Sequence, residues 1–145
     1  MKKIFVLKGN SDTGKTTKIN TIAEWIINKY NIPNTINLDV TDLKKDTYGI
    51  LTINNLRIGI NSAGDNFDLV RKIDSLAPTC DIIIASCRTK GITYQHLKKN
   101  YNWANNWLDK YIDVHEYQAT QTNQIAARDL QIIDVLQSWL TGLEK

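Results

Sequence analysis

The stretch KIFVLKGNSDTGKTT, residues 3–17, decides the fold. Its apolar run at residues 3–7 is long enough for a buried strand and too short for a helix. A turn that starts at Gly9 follows directly. From residue 14 to about residue 30, apolar side chains recur with the period of an amphipathic helix, which an Asn-Ile-Pro break ends. The stretch therefore predicts a strand, a glycine-bounded loop and a helix in direct succession.

The rest of the chain alternates between strand-like and helix-like segments. Apolar runs predict strands at residues 35–40, 48–53, 56–62, 81–86 and 111–117, and helical spacing predicts helices at residues 67–76, 93–110 and 122–143. Two asparagines at 54–55 tolerate the backbone angles of a tight turn, so the strands beside them should form a hairpin. This alternation predicts an α/β protein whose mostly parallel central sheet has one β-hairpin and helices on both faces.

The size and composition of the chain are those of one globular domain spanning residues 1–145. The net charge of +3 gives no clear nucleic-acid signal. No apolar run approaches the roughly 20 residues that cross a membrane, and the first one is too short for a signal peptide, so we expect a cytoplasmic protein. Cys80 and Cys87 bracket a predicted strand, which holds them too far apart for a disulfide, so we expect reduced thiols.

The loop at residues 9–17 has the composition of a phosphate-binding turn, G-x-x-x-x-G-K-[ST]. Its glycines let the backbone approach an anion, and inward-pointing amides add to the positive end of the helix dipole. Lys15 would reach the β and γ phosphates, and the Thr16 hydroxyl would bind Mg²⁺. The predicted nucleotide-binding residues are Gly9, Asn10, Ser11, Asp12, Thr13, Gly14, Lys15, Thr16 and Thr17.

At these residues the sequence resembles the P-loop NTPase superfamily. The resemblance implies a three-layer α/β fold that binds ATP or another nucleoside triphosphate with Mg²⁺ and carries out phosphoryl transfer or hydrolysis. The motif covers eight residues, and the order of predicted strands and helices agrees with it along the whole chain. In related folds, the segment corresponding to residues 118–123 often contacts the base.

The segment LRIGINSAGD, residues 56–65, resembles the D-x-x-G segment of small GTPases. Asn61 stands where that resemblance places an acid that holds Mg²⁺ through water. Asp65 could take over the metal or orient an attacking water, or it could instead cap the helix that follows. The resemblance also implies that the Gly64 amide contacts the γ phosphate.

Two further sets of charged residues are predicted at the ligand edge. In small P-loop kinases, carboxylates in the position of Asp39 and Asp42 hold or deprotonate the acceptor hydroxyl. The alternatives are a Mg²⁺ water shell or turn residues in a solvated loop. Arg88 leaves the end of a predicted central strand, where a guanidinium can meet phosphate oxygens. Residues 88–91 would then resemble the lid of nucleotide kinases, or else form an exposed basic loop.

These residues leave three functions open. One is transfer of the γ phosphate of ATP to a small acceptor such as a nucleotide or metabolite, with Lys15, Asp65, Arg88 and Asp39 as catalytic residues and Thr16 and Asp65 at the metal. The second is an NTPase switch, and the third is a nucleotide-binding module with degenerate catalysis. Trp103 and Trp107, four residues apart on a predicted helix, suit a core position or a self-association patch better than a base-stacking platform.

Overall fold

The structure is a computed structural model that describes residues 1–10, 13–63 and 67–140. Within these ranges the strands are β1 (Lys2–Lys8), β2 (Tyr48–Ile53), β3 (Leu56–Asn61), β4 (Ile82–Cys87) and β5 (Trp107–Asp113). The helices are α1 (Lys15–Tyr30), α2 (Phe67–Leu76), α3 (Ile92–Asn100) and α4 (Thr122–Leu140), and a short 3-10 turn covers Trp103–Asn105.

The strands form one sheet in the order β2-β3-β4-β1-β5. Neighbouring pairs among β3, β4, β1 and β5 are parallel, whereas β2 runs antiparallel to β3. Asn54 has a φ of 53° in the turn between β2 and β3, as the hairpin prediction required. The mostly parallel α/β sheet with one hairpin is therefore confirmed. Because the parallel strands all end on the same side, their last residues form one carboxyl edge.

Helices cover both faces of this sheet. Alternate side chains of β1 enter different cores, so that Phe5 packs in the cluster that includes residues of α1 and α4. Its neighbour Ile4 packs in the cluster that includes residues of α2 and α3. The period-2 alternation of a strand thus divides the apolar residues between two layers.

The first helix and both cysteines agree with the predictions. Gly14 caps α1 with a φ of 79°, and Asn31 ends the helix in the left-handed conformation. Cys80 and Cys87 are buried free thiols. The last helix matches its prediction as far as Leu140, beyond which the chain lies outside the described residues. No helix in the described part of the chain is long and apolar enough to cross a membrane.

The predicted strand at residues 35–40 is wrong. This segment is irregular, and Asn37 has a φ of 31°, which a strand does not allow. The Asn37 Oδ1 accepts a hydrogen bond from the Tyr48 N–H at 3.1 Å, so a side chain rather than a backbone ladder contacts β2. Ile36 and Leu38 are nevertheless buried. The alternation of these apolar residues with polar ones is typical of a strand, but here the two side chains are buried from an irregular loop.

The predicted helix at residues 93–110 and the strand at 111–117 are wrong in their bounds, because α3 ends earlier and β5 starts at Trp107. Asn102 starts the 3-10 turn that follows α3, since its side chain accepts a hydrogen bond from the Asn105 N–H in that turn. Trp103 is 69% exposed in that turn, whereas Trp107 is 8% exposed in β5. The two tryptophans therefore share no helical face, and self-association through them stays a prediction.

Replacing Gly49 by alanine should destabilise the protein more than replacing Gly91. Both glycines have positive φ, 151° and 106°, but a Cβ on Gly49 would lie 2.9 Å from Ile36 Cγ2 and 3.0 Å from Ile36 Cα. A Cβ on Gly91 would meet nothing within 4 Å. Backbone strain is thus common to both variants, and overpacking should cost Gly49→Ala about 1–3 kcal/mol more. Urea unfolding measures the difference; equal losses would show that residue 36 yields to the new methyl group.

Candidate functional site

The glycine-bounded loop connects β1 to α1 at the carboxyl edge of the sheet. The Gly9 N–H donates to the Cys87 carbonyl at 3.1 Å, which joins the loop to the end of β4. The buried Lys15 Nζ donates to the carbonyls of Gly9 at 2.6 Å and Cys87 at 3.2 Å. The lysine ammonium therefore lies where β1 and β4 end. Ser11 and Asp12, also predicted here, lie outside the described residues.

Thr16 contacts the end of a third strand. Its hydroxyl donates to the Ser62 carbonyl, directly after β3, at 2.9 Å. Ser62 is itself held by Thr47, because the Ser62 N–H donates to the Thr47 carbonyl at 2.9 Å and the Thr47 N–H donates to the Ser62 Oγ at 2.7 Å. The Thr16 hydroxyl, the predicted Mg²⁺ ligand, thus contacts the segment at residues 56–65, which resembles the D-x-x-G segment.

Asn61 is the last residue of β3 and is 0% exposed. Its Oδ1 accepts the Ala63 N–H at 3.1 Å, whereas its Nδ2 has no hydrogen-bond partner in the described part of the chain. A buried amide without a partner is costly and calls for an explanation. Gly64 and Asp65, which were predicted to contact the γ phosphate and the metal, lie outside the described residues.

The described residues fit Mg²⁺ only in company with phosphate. They contain no group of three or more His, Cys, Asp or Glu side chains that could hold a metal ion. Mg²⁺ needs no such group, because it usually keeps several waters and takes one or two protein oxygens together with substrate phosphates. The Thr16 hydroxyl, at the start of α1, is an oxygen that could take this role.

A cleft of about 810 Å³ opens beside the loop. One wall belongs to the start of α1 and the other to α4 and the segment before it. The lining residues are Thr13, Gly14, Thr17, Lys18, Thr21, Glu116, Tyr117, Ala119, Ile125, Arg128, Asp129, Leu130 and Ile133. Leu130 is exposed despite being apolar, which gives the cleft an open hydrophobic side. Of the segment 118–123, whose counterpart contacts the base in related folds, Ala119 lines this cleft.

A charged network ties α4 to the loop. The Lys18 Nζ donates to the Thr13 carbonyl at 2.9 Å, and an Arg128 Nη2 donates to the same oxygen at 3.2 Å. Asp129 Oδ1 lies 2.9 Å from the Lys18 Nζ and 2.8 Å from the Arg128 Nη2. The Arg128 Nη1 also donates to the His115 carbonyl at 2.6 Å. Burial lowers the pKa of Lys18, and the hydrogen bond that its ammonium donates to Asp129 opposes that shift.

Sequence reasoning missed this network. Lys18 lies in the first turns of α1 and is separated from Arg128 and Asp129 by most of the chain. An Arg-Asp pair on an amphipathic helix is ordinarily a surface feature, so nothing in its spacing indicated a buried contact. Only the packing of α4 against α1 brings these charges together.

Asn10 links the loop to the segments that follow β4 and β5. Its Nδ2 donates to Glu116 Oε2 at 2.7 Å, and the Thr89 hydroxyl donates to its Oδ1 at 3.3 Å. Thr89 belongs to the predicted lid at residues 88–91. Arg88 itself is exposed directly after β4, the strand that pairs with β1. The predicted position of Arg88 at the end of a central strand is confirmed, and its contact with phosphate stays a prediction.

Asp39 does not end a strand, because the predicted strand before it is absent. Its Oδ1 accepts hydrogen bonds from the Thr41 hydroxyl at 2.6 Å and the Thr41 N–H at 2.9 Å, and its Oδ2 lies 3.0 Å from the Lys45 Nζ. The Thr41 hydroxyl and the Lys45 ammonium lower the pKa of Asp39 to about 2. A carboxylate with so low a pKa is a weak general base at neutral pH. The hydrogen bonds of Asp39 are those of a turn residue, and its acceptor-activating role stays a prediction.

In comparisons with known proteins, the chain matches no protein-family model, no curated protein and no solved structure at a significant level.

The pKa of Asp39 should rise from about 2 towards the ordinary value of 3.8 in the double variant Thr41→Val, Lys45→Met. Both substitutions remove donors that favour the carboxylate. Since the folded pKa lies below the unfolded one, these contacts stabilise the fold above about pH 4 and are lost as the pH falls towards 2. Carboxyl NMR titration measures the shift, with Lys44→Met as a neighbouring control. A wild-type Asp39 that titrates near 3.8 would contradict the geometry.

Proposed function

We propose that this protein binds a nucleoside triphosphate, ATP or a related nucleotide, through the loop at residues 9–17. The observation that carries the proposal is the position of Lys15, whose ammonium lies at the ends of β1 and β4 while its backbone opens α1. Backbone amides at a helix N-terminus attract anions, and a neighbouring ammonium adds a full positive charge. The glycine-bounded loop thus combines the features that a polyphosphate needs. These features support membership of the P-loop NTPase superfamily.

The cleft beside the loop is the proposed place for the nucleoside. It begins at Thr13, Gly14 and Thr17, so a ligand whose phosphates lie on the loop can extend into it directly. Its volume of about 810 Å³ is within the range of about 300–1,000 Å³ that small-molecule sites occupy. Tyr117 and Leu130 offer apolar surface to a base.

Mg²⁺ fits the proposal through the Thr16 hydroxyl and the phosphate oxygens. When bound, the ion neutralises phosphate charge and favours attack on the γ phosphorus. The chain's own contributions are separate from the ion. Lys15 neutralises phosphate from the strand ends, and Arg88 supplies a second cation from the exposed segment after β4.

For the reaction, we propose phosphoryl transfer to a small acceptor, a class of reaction that depends on positioning and electrostatic stabilisation. Arg88, whose guanidinium can pair with phosphate oxygens, supports it. Asp39 does not, because its carboxylate is already bonded to Thr41 and Lys45. The alternative is an NTPase switch or a binding module with weak catalysis. The neutral, buried Asn61 favours that alternative, because an amide contributes no charge to the metal.

Replacing Lys15 by methionine should reduce the affinity for MgATP at least 10-fold, because one charge-assisted contact with phosphate is worth about 1.5–3 kcal/mol. Calorimetric titration measures the affinity, and circular dichroism confirms that the variant is folded. Lys29→Met is the matched control, since Lys29 is exposed in the last turn of the same helix. Equal affinity in the wild type and the folded Lys15 variant would refute phosphate binding at the loop.

Replacing Asn61 by aspartate should restore the missing acid and raise Mg²⁺-dependent ATP hydrolysis. A buried carboxylate whose only hydrogen-bond donor among the described residues is the Ala63 N–H should also lower the melting temperature, and MgATP should recover more of that loss than ATP alone. Asn20→Asp is the matched control, because Asn20 is equally buried but donates to the Leu43 and Lys45 carbonyls. If Mg²⁺ recovers the melting temperature of neither variant, the end of β3 is not a metal position.

A further inference from the structure

The Thr13 carbonyl receives hydrogen bonds from two cationic side chains at the mouth of the cleft. Lys18 reaches it from the next turn of α1 and Arg128 from α4. Both side chains are largely buried, with 5% of Lys18 and 11% of Arg128 exposed. Charge-assisted hydrogen bonds of this kind hold their acceptor firmly, especially away from water.

The Thr13 carbonyl and the Gly14 N–H belong to one peptide unit, so hydrogen bonds that hold the carbonyl also hold the direction of the N–H. The peptide bond between Thr13 and Gly14 is trans, as are the others in the described part of the chain. In a planar trans peptide the C=O and N–H point in opposite directions. The Gly14 N–H is therefore directed away from Lys18 and Arg128. A side chain on Gly14 would disturb this arrangement, because its Cβ would lie 2.8 Å from the Lys18 Nζ.

The same guanidinium holds the opposite wall of the cleft. The Arg128 Nη1 donates to the His115 carbonyl at 2.6 Å, just before Glu116 and Tyr117, which line that wall. Asp129 orients the guanidinium, since its Oδ1 accepts from the Arg128 Nε at 2.9 Å. Arg128 therefore bridges the loop on one side and the wall on the other.

We propose that Arg128 is a positioning residue. It holds Thr13 of the glycine-bounded loop and His115 of the cleft wall in a fixed relative position, so that one site receives both the phosphates and the nucleoside of a nucleoside triphosphate. The inference rests on the proposed function and adds to it the contribution of α4. Asp129 offsets one of the two positive charges on Thr13, and the network directs the amide of Gly14 without placing its own cations on the phosphates.

The experiment measures the affinities of MgATP and of inorganic tripolyphosphate by calorimetry in the wild type, Arg128→Met and Arg128→Lys. Methionine removes both carbonyl contacts, so the loop and the wall should adopt the binding geometry less often, and a tenfold smaller binding-competent fraction weakens both ligands about 10-fold. Lysine keeps the charge but not the forked geometry, so its affinities should be intermediate. Tripolyphosphate has no nucleoside, so its loss of affinity measures the effect on the loop alone. Any additional loss of affinity for MgATP measures the effect on the cleft wall.

Leu136→Ala is the control for a purely structural role. Leu136 is fully buried on α4 but lines neither the loop nor the cleft, so its loss should lower stability and leave the affinities within twofold of wild type. All titrations are run at a temperature where circular dichroism shows each variant folded. Arg128→Met with wild-type affinities, or Leu136→Ala with the same loss, would overturn the inference. A wild type that binds neither ligand would instead refute the proposed function.

Discussion

The pairing of β1 with β4 is the constraint on which the site depends. These two parallel strands stay in register to their last residues, and the Gly9 N–H continues the ladder by donating to the Cys87 carbonyl. The loop therefore starts from a fixed point at the carboxyl edge. Lys15 closes it by donating to the carbonyls of Gly9, directly after β1, and of Cys87, at the end of β4, so α1 begins beside the strand ends. The sheet thus decides where the helix N-terminus and its ammonium lie.

Electrostatics then distinguish the two sides of the loop. The Lys15 ammonium lies at the carboxyl ends of β1 and β4. Lys18 and Arg128 lie on the side of the loop that faces α4, where they share Asp129. Burying cations without partners is expensive, and this arrangement gives each of them backbone carbonyls or a carboxylate. The hydrogen bonds from Lys18 and Arg128 to the Thr13 carbonyl hold the loop on the side of α4. The proposed polyphosphate would then meet backbone amides and Lys15, which agrees with a site organised before its ligand arrives.

Two errors in the sequence predictions have a common origin. The segment at residues 35–40 alternates like a strand, and the segment at 93–110 has helical spacing, yet both contain asparagines whose side chains bond to backbone groups. Asn37 and Asn106 also adopt positive φ, which asparagine tolerates better than most residues. Hydrophobic periodicity records which residues are buried. It does not record whether the backbone between them is regular.

The sequence by itself determined the glycine-bounded loop between β1 and α1, the hairpin of β2 and β3, and the buried β4. Each of these depends on neighbouring residues: glycine spacing, a two-residue turn and a short β-branched run. Only the tertiary structure decided the order of the strands, the contact of Thr16 with Ser62 and the bridge from Arg128 to Thr13 and His115. Those contacts join residues far apart in the chain, and their geometry follows from how α1 and α4 pack on one face of the sheet, which local patterns do not encode.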